Sequence, residues 1–200
     1  GEVLPASRGK AALLRIGKGL EVRQGGRVHA TLSGVLSIAA GVVSVVQVLR
    51  LPGSVDFSTG NVDFQGDVEV ADSVRDGFKV RATGSLTIRG DVEGAEIACA
   101  GNLTCQRGIA SSKRARVVVG GATDIGFARN ISAILRGDFH FRGELEHCDI
   151  TVGGRCAGEA GRAIGGILVL TGPAHIGTLG SPDWTPTLVC VGELPLIAMD

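Results

Sequence analysis

The sequence predicts an all-β chain folded as a right-handed parallel β-helix, a solenoid of about seven to eight coils with a small N-terminal β cap. Two observations carry this. A nine-residue pattern, one glycine with apolar residues two and four positions away on both sides, recurs at Gly66, Gly84, Gly101, Gly121, Gly137, Gly154 and Gly172, at intervals of 16 to 20 residues. A fixed-period repeat of this length is the mark of stacked coils. The chain also holds 32 glycines among 200 residues, with an aromatic share of only 4%, which suits a turn-rich repeat better than a helical bundle or a sandwich.

Within the repeat, the row four before each glycine reads Val62, Val80, Ile97, Val117, Ala133, Ile150 and Leu168, and the row two before reads Phe64, Ala82, Cys99, Val119, Leu135, Val152 and Leu170. Both are wholly apolar. The rows two and four after each glycine are apolar except at Thr123 and Gly158. Strand alternation therefore points four positions of each coil inward and leaves the odd offsets outside. A third, weaker side is marked by Val74, Val92, Ile109, Leu145, Ile131 and Ile164, and the centring glycine is expected in a bend of positive φ. A left-handed helix of hexapeptides would show one aliphatic every six residues. Four apolar positions in nine, with uneven coil lengths, favour the right-handed form.

Taken in order, residues 1–53 form the N-terminal unit, with strands expected at Leu13–Ile16, Leu20–Arg23, Val28–Leu32, Val35–Ile38 and Val42–Leu49 between glycine-rich turns. Ala30, Leu32, Gly34, Leu36 and Ile38 also fit the coil template, but two hairpins account for the segment better. Val35–Leu49 is too short and too often interrupted by Ser37, Ser44 and Gln47 to be a membrane span. Pro52–Gly53 closes this unit, and residues 54–200 form the β-helix. After Ile176 the rhythm falters through Gly180–Pro186, then returns with Leu188, Cys190, Gly192, Leu194 and Leu196 as a worn eighth coil running into the apolar tail to Met199.

Lysine plus arginine equals aspartate plus glutamate at 20 each, so no net field draws the chain to nucleic acid or to an anionic membrane. The cysteines Cys99, Cys105, Cys148, Cys156 and Cys190 lack metal-binding spacing. Four of them, Cys148 excepted, sit on interior rows as small hydrophobes, which implies a reducing compartment. No basic segment with an apolar core and cleavage site opens the chain, so the sequence lends secretion no support.

The stretch Val55-Asp56-Phe57-Ser58-Thr59-Gly60-Asn61-Val62-Asp63-Phe64-Gln65-Gly66-Asp67-Val68, followed by Asp76–Val80 and Gly90–Ile97, resembles the signature of the bacterial flagellar assembly protein A family. Ala82–Ser85 and Arg155–Ala157 depart from that pattern. The resemblance implies a cytoplasmic β-solenoid connected with flagellar assembly or cell morphogenesis, and it brings no catalytic residues.

For function, the expectation is a non-enzymatic scaffold whose rigid faces bind other proteins or further copies of the chain. No cofactor or metal is expected. The alternative is a carbohydrate-active β-helix enzyme, a polysaccharide lyase or hydrolase using outward acids. Its best support is the outward row Glu69, Thr87, Thr104, Asp124, His140, Ala157 and His175, where Asp124 and His140 become neighbours one coil apart. His140 and His175 lie two coils apart, about 10 Å, too far to share a metal. Asp56, Asp63 and Asp67 read as turn caps and not as a calcium loop. Ser111–Arg116, with Lys113, Arg114 and Arg116, reads as a basic insertion at a corner. The glycine pairs are not phosphate loops, since no helix follows them.

The candidate interaction stripe is the row three before each glycine: Asp63, Arg81, Ala98, Val118, Ile134, Thr151, Val169 and Val189. Its early members are polar or small. Val118, Ile134, Val169 and Val189 place large aliphatics outward in one line, and contiguous apolar surface of that kind marks an interface. The covering partner is expected to be another protein, a homo-oligomer contact, the tail Leu194–Met199 or the N-terminal unit.

Overall fold

A computed structural model of the chain describes residues 15–183 and 185–192, and divides it into two compact units, Gly1–Gln47 and Val48–Asp200. Trp184 and the tail Leu194–Met199 lie outside the described residues, as do Leu13 and Leu14 of the first expected strand.

In the first unit, Leu20–Arg23 pairs antiparallel with Arg27–Ala30, and Val35–Ala39 pairs antiparallel with Val42–Val46, beside which Arg15–Ile16 runs parallel. The second hairpin turns through Ala40 and Gly41 at φ 49° and 74°. That left-handed pair is what a two-residue hairpin loop requires. Val35–Ala39 is thereby a hairpin strand and not a coil of the repeat.

The second unit is a parallel β-solenoid of about eight turns, and no helix is present among the described residues. It has three sides. On the first, the strands ahead of each glycine stack as Val62–Phe64, Lys79–Ala82, Glu96–Cys99, then residues 115–119, 131–135, 148–152 and 166–170, and finally Thr187–Val191. On the second, the strands after each glycine stack from Val48–Leu51 through Asp67–Val70 and Leu86–Ile88 to Ala174–Leu179. The third side pairs Val55, Val74, Val92, Ile109, Ala128, Leu145, Ala163 and Leu179 in sequence. Ala128 and Ala163 fill places the sequence assigns to Ile131 and Ile164. Ile131 is buried one corner further on, opposite Ala115, and Ile164 faces outward opposite Glu146.

The interior follows the predicted rows. Val80, Ile97, Val117, Ile150 and Leu168, with Val119, Leu135 and Val152, are at most 3% exposed and belong to one continuous apolar cluster. The centring glycines serve a different purpose from the one expected. Of the seven, only Gly66 has a positive φ, at 143°. The others stack on one another at a single corner. At Gly154 a Cβ would lie 2.4 Å from Asp138 Oδ1 and 2.7 Å from the Gly137 carbonyl carbon, so close approach of successive coils excludes any side chain there.

The same corner carries a polar ladder. The carboxylate of Asp67 accepts the Ser85 N–H at 2.8 Å, the Ser85 hydroxyl accepts the Asn102 N–H at 3.1 Å, and the side-chain Oδ1 of Asn102 accepts the Ala122 N–H at 2.9 Å. Asp138 resumes it by accepting the Arg155 N–H at 2.8 Å. Pro173 follows on the next coil, where it has no N–H to satisfy. Asp67, Ser85, Asn102 and Asp138 thus each supply the acceptor that the next rung's turn needs.

Candidate interaction surface

Backbone register decides which outward side chains become neighbours on the first side. Asp63 pairs with Arg81, Arg81 with Ala98, Ala98 with Val118, Val118 with Ile134, Ile134 with Thr151 and Thr151 with Val169. The predicted column is therefore continuous through Val169. Its last member is corrected: Val169 pairs with Cys190, while Val189 pairs with Leu168 and packs against the core. The strand pairs one residue away from the repeat template: Gly166 pairs with Thr187, whose hydroxyl also accepts the Gly165 N–H at 2.8 Å. A shift of one residue exchanges the two faces of a strand, so Leu188 and Cys190 point outward where the sequence places them inside.

A second outward column lies two residues earlier on each strand: Lys79, Glu96, Arg116, Ser132, Asp149, Ile167 and Leu188. The first coils of the face are ionic. Glu96 takes Lys79 Nζ at 2.8 Å and Arg81 at 3.3 Å, and these cations hold its carboxyl below the ordinary glutamate value, Lys79 foremost. The last coils are apolar. Ile134, Ile167 and Leu188 are 36%, 40% and 54% exposed, with Val118 and Val169 half-buried beside them. Within this apolar end Arg114 closes on Asp149, and a shallow depression is lined by Arg114, Arg116, Val118, Ser132 and Ile134. Ile167 is legible in the sequence two places before Val169. Leu188 is hidden by the template centred on Gly192.

The opposite outward row is also aligned by register, from Glu69 through Thr87, Thr104, Asp124, His140 and Ala157 to His175. Asp124 and His140 meet, with Nδ1 2.9 Å from Oδ2. The other carboxylate oxygen of Asp124 accepts from Arg142 at 2.5 Å, and Arg142 also donates to the Gln106 carbonyl at 3.2 Å. All three side chains stand about half-exposed over a shallow surface. His175 is separated from His140 by the Ala157 rung.

The remaining sequence candidates are turn and corner residues, except Asp63, which stands in the strand Val62–Phe64 and is not the turn cap expected. Asp56 Oδ1 accepts the Ser58 hydroxyl at 2.6 Å and the Ser58 N–H at 2.8 Å, which lowers the Asp56 carboxyl. Asp67 belongs to the corner ladder, and Asp63 opens the exposed column. Ser111–Arg116 is an insertion, marked by a register shift between Ala110 and Ala115. Among the described residues no cluster of three or more His, Cys, Asp or Glu is placed to hold a metal ion, and no helix is long and apolar enough to cross a membrane.

A family model, the Flagellar Assembly Protein A beta solenoid domain, matches residues 47–198. The chain belongs to the flagellar assembly protein A family. The match begins where the solenoid begins, at its first strand Val48–Leu51, and the flagellar assembly protein A domain is itself described as a β-solenoid. No curated protein and no solved structure matches the chain.

Proposed function

We propose that this solenoid is a non-enzymatic, cytoplasmic scaffold in bacterial flagellar assembly or cell morphogenesis, and that its first side is a protein-docking surface. One observation carries the reading: the strand register gathers Val118, Ile134, Val169, Ile167 and Leu188 at one end of the face, on both sides of the rung that holds Thr151 and Asp149. Isolated exposed aliphatics are ordinary on a protein surface, but a contiguous group marks a site of association. A rigid stack of parallel strands also presents such a zone with little ordering cost on binding. Family membership supports the cellular setting.

The Asp124–His140 contact favours a second reading, acid–base chemistry on a carbohydrate. It is the weaker one, because both oxygens of Asp124 are already engaged and the site is an open surface, where water competes for any charged intermediate. A rescue experiment separates the two. In a strain lacking the gene, the parent chain in its full-length protein restores flagella. Ile134→Thr with Val169→Thr is expected to fold normally by circular dichroism yet fail to restore them, while Asp124→Asn with His140→Ala restores them fully. The reverse pattern would replace the scaffold by the enzyme.

A further inference from the structure

We infer that the apolar end of the first side docks a second copy of this chain, in a weak two-fold dimer whose rods run in opposite directions. The inference rests on the reading of this face as a docking surface and names its partner. Three features favour a second copy, and a fourth sets the strength of the pair.

The first is charge. The formal net charge is +0, so two copies meet without the long-range repulsion that keeps strongly charged proteins apart.

The second is self-complementarity. Closed dimers bring the same patch of both copies together, so the patch must match itself under a two-fold rotation. An axis along the strands through Thr151 preserves position along each strand and reverses the order of coils. It sets Ile134 opposite Val169 of the second copy and Val118 opposite Cys190, with Thr151 meeting its own counterpart. In the neighbouring column Ile167 covers Ser132, and Leu188 lies on the aliphatic stem of Arg116. Asp149 meets Asp149, each carboxylate already paired with its own Arg114.

The third is what this arrangement leaves out. Asp63, Lys79, Arg81 and Glu96 lie beyond the five coils that meet, so their ion pairs stay in water. The like-directed alternative, with the axis along the rod, brings the Lys79–Glu96–Arg81 cluster of both copies into the contact in addition to Arg114 and Asp149, and so takes more charge out of water.

The fourth is size. Five coils at about 4.8 Å and strands of five residues at about 3.3 Å give a footprint of about 400 Å² per copy. Roughly 800 Å² in total is below the range of stable complexes, so the dimer is weak and concentration-dependent.

Cys190 gives a direct test, since it is exposed and lies on the patch. In the full 200-residue chain, light scattering should show the mean molar mass rising toward twice the monomer value with concentration. Ile134→Thr with Ile167→Thr should hold it at the monomer value with an unchanged circular dichroism spectrum. Under mild oxidation, Val118→Cys should yield a covalent dimer linked through positions 118 and 190, identified by peptide mapping, and adding Cys190→Ser should abolish it. A parent that stays monomeric at high micromolar concentration overturns the inference, and so does a 118-to-118 link. In either case the scaffold reading is judged separately, by restoration of flagella.

Discussion

Thr123 stands on an interior row between Leu103 and Phe139, is 3% exposed, and its hydroxyl has no hydrogen-bond partner among the described residues. An unpaired buried hydroxyl costs about 1–3 kcal/mol. Valine has the same shape without the hydroxyl, so Thr123→Val should raise the midpoint of chemical denaturation, by about 1 kcal/mol of stability. A lower midpoint would mean that the hydroxyl has a partner. The other break in the pattern, Gly158, is a response to its neighbour: a Cβ there would lie 2.1 Å from Phe141 Cζ. The ring of one coil occupies the space the next coil leaves empty. Burial raises the thiols of Cys99, Cys148 and Cys156 to about 11 and that of Cys105 to about 12. At neutral pH they remain protonated and shielded, whereas Cys190 is exposed. A thiol reagent should therefore modify one cysteine rapidly in the native chain and all five in denaturant. Rapid native modification of any second thiol would contradict the packing.

At the scale of the element, adjacent coils are joined by ion pairs on every side: Arg50 with Glu69 at 3.0 Å, Arg75 with Glu93 at 2.5 Å, Arg107 with Asp91 at 3.2 Å, Arg129 with Glu146 at 2.6 Å and Arg162 with Glu144 at 3.0 Å. Each is solvent-exposed, so its contribution to stability is small. Their positions matter more, since pairs between coils favour one register over its neighbours. Glu96 offers a test by pH. Its carboxyl is held below the ordinary value of 4.5, mainly by Lys79 and then by Arg81. The folded state therefore binds this proton less readily than the unfolded chain. The associated stability is complete above the ordinary glutamate value and is lost as pH falls through the depressed one. Glu96→Gln should flatten the acid limb of the stability profile below about pH 4.5. An unchanged acid limb would show that the pair is not formed in solution. A second corner shows local strain under the control of the stack. Asn130 and His147, both at φ 52°, lie beneath Gly165 at φ 71°, on rungs aligned by Arg129, Glu146 and Ile164. The Asn130 side-chain amide donates to the Ser111 carbonyl at 3.1 Å. Asparagine and histidine tolerate this conformation better than β-branched residues do.

At the largest scale, the core of the second unit is one apolar column from Val55 to Leu170, in which each rung packs mainly on the rungs above and below it. Stability in such a stack is a sum of nearest-neighbour terms, and a defect at mid-column breaks two interfaces at once. Leu135 is 2% exposed and pairs with Val119 and Val152. Leu135→Asp should therefore abolish the β-sheet circular dichroism signal or soluble expression, while Leu135→Met is tolerated with a loss of under about 1.5 kcal/mol. A soluble, cooperatively folding Asp variant would show that this column is not the core.

The chain's own residues determine the class of fold, because a glycine flanked by apolar residues at two and four places recurs with the period of one coil, and alternation leaves a strand no choice of inner face. The rows at Val62, Val80 and Ile97, and the outward column from Asp63 to Val169, follow from this local rule alone. Tertiary structure decides what depends on contact between coils. Glycine is required at Gly154 because the coil below occupies the space of a Cβ, and no single coil's sequence contains that information. Ala128 and Ala163 take the third side because they fall in register with Leu145, while the larger Ile164 falls one residue aside and Ile131 falls one corner further on. The apolar zone gains Leu188 and Cys190 and loses Val189 because Thr187–Val191 pairs with residues 166–170 one place off the repeat template, since register is fixed by pairing with the neighbouring coil and not by a strand's own pattern.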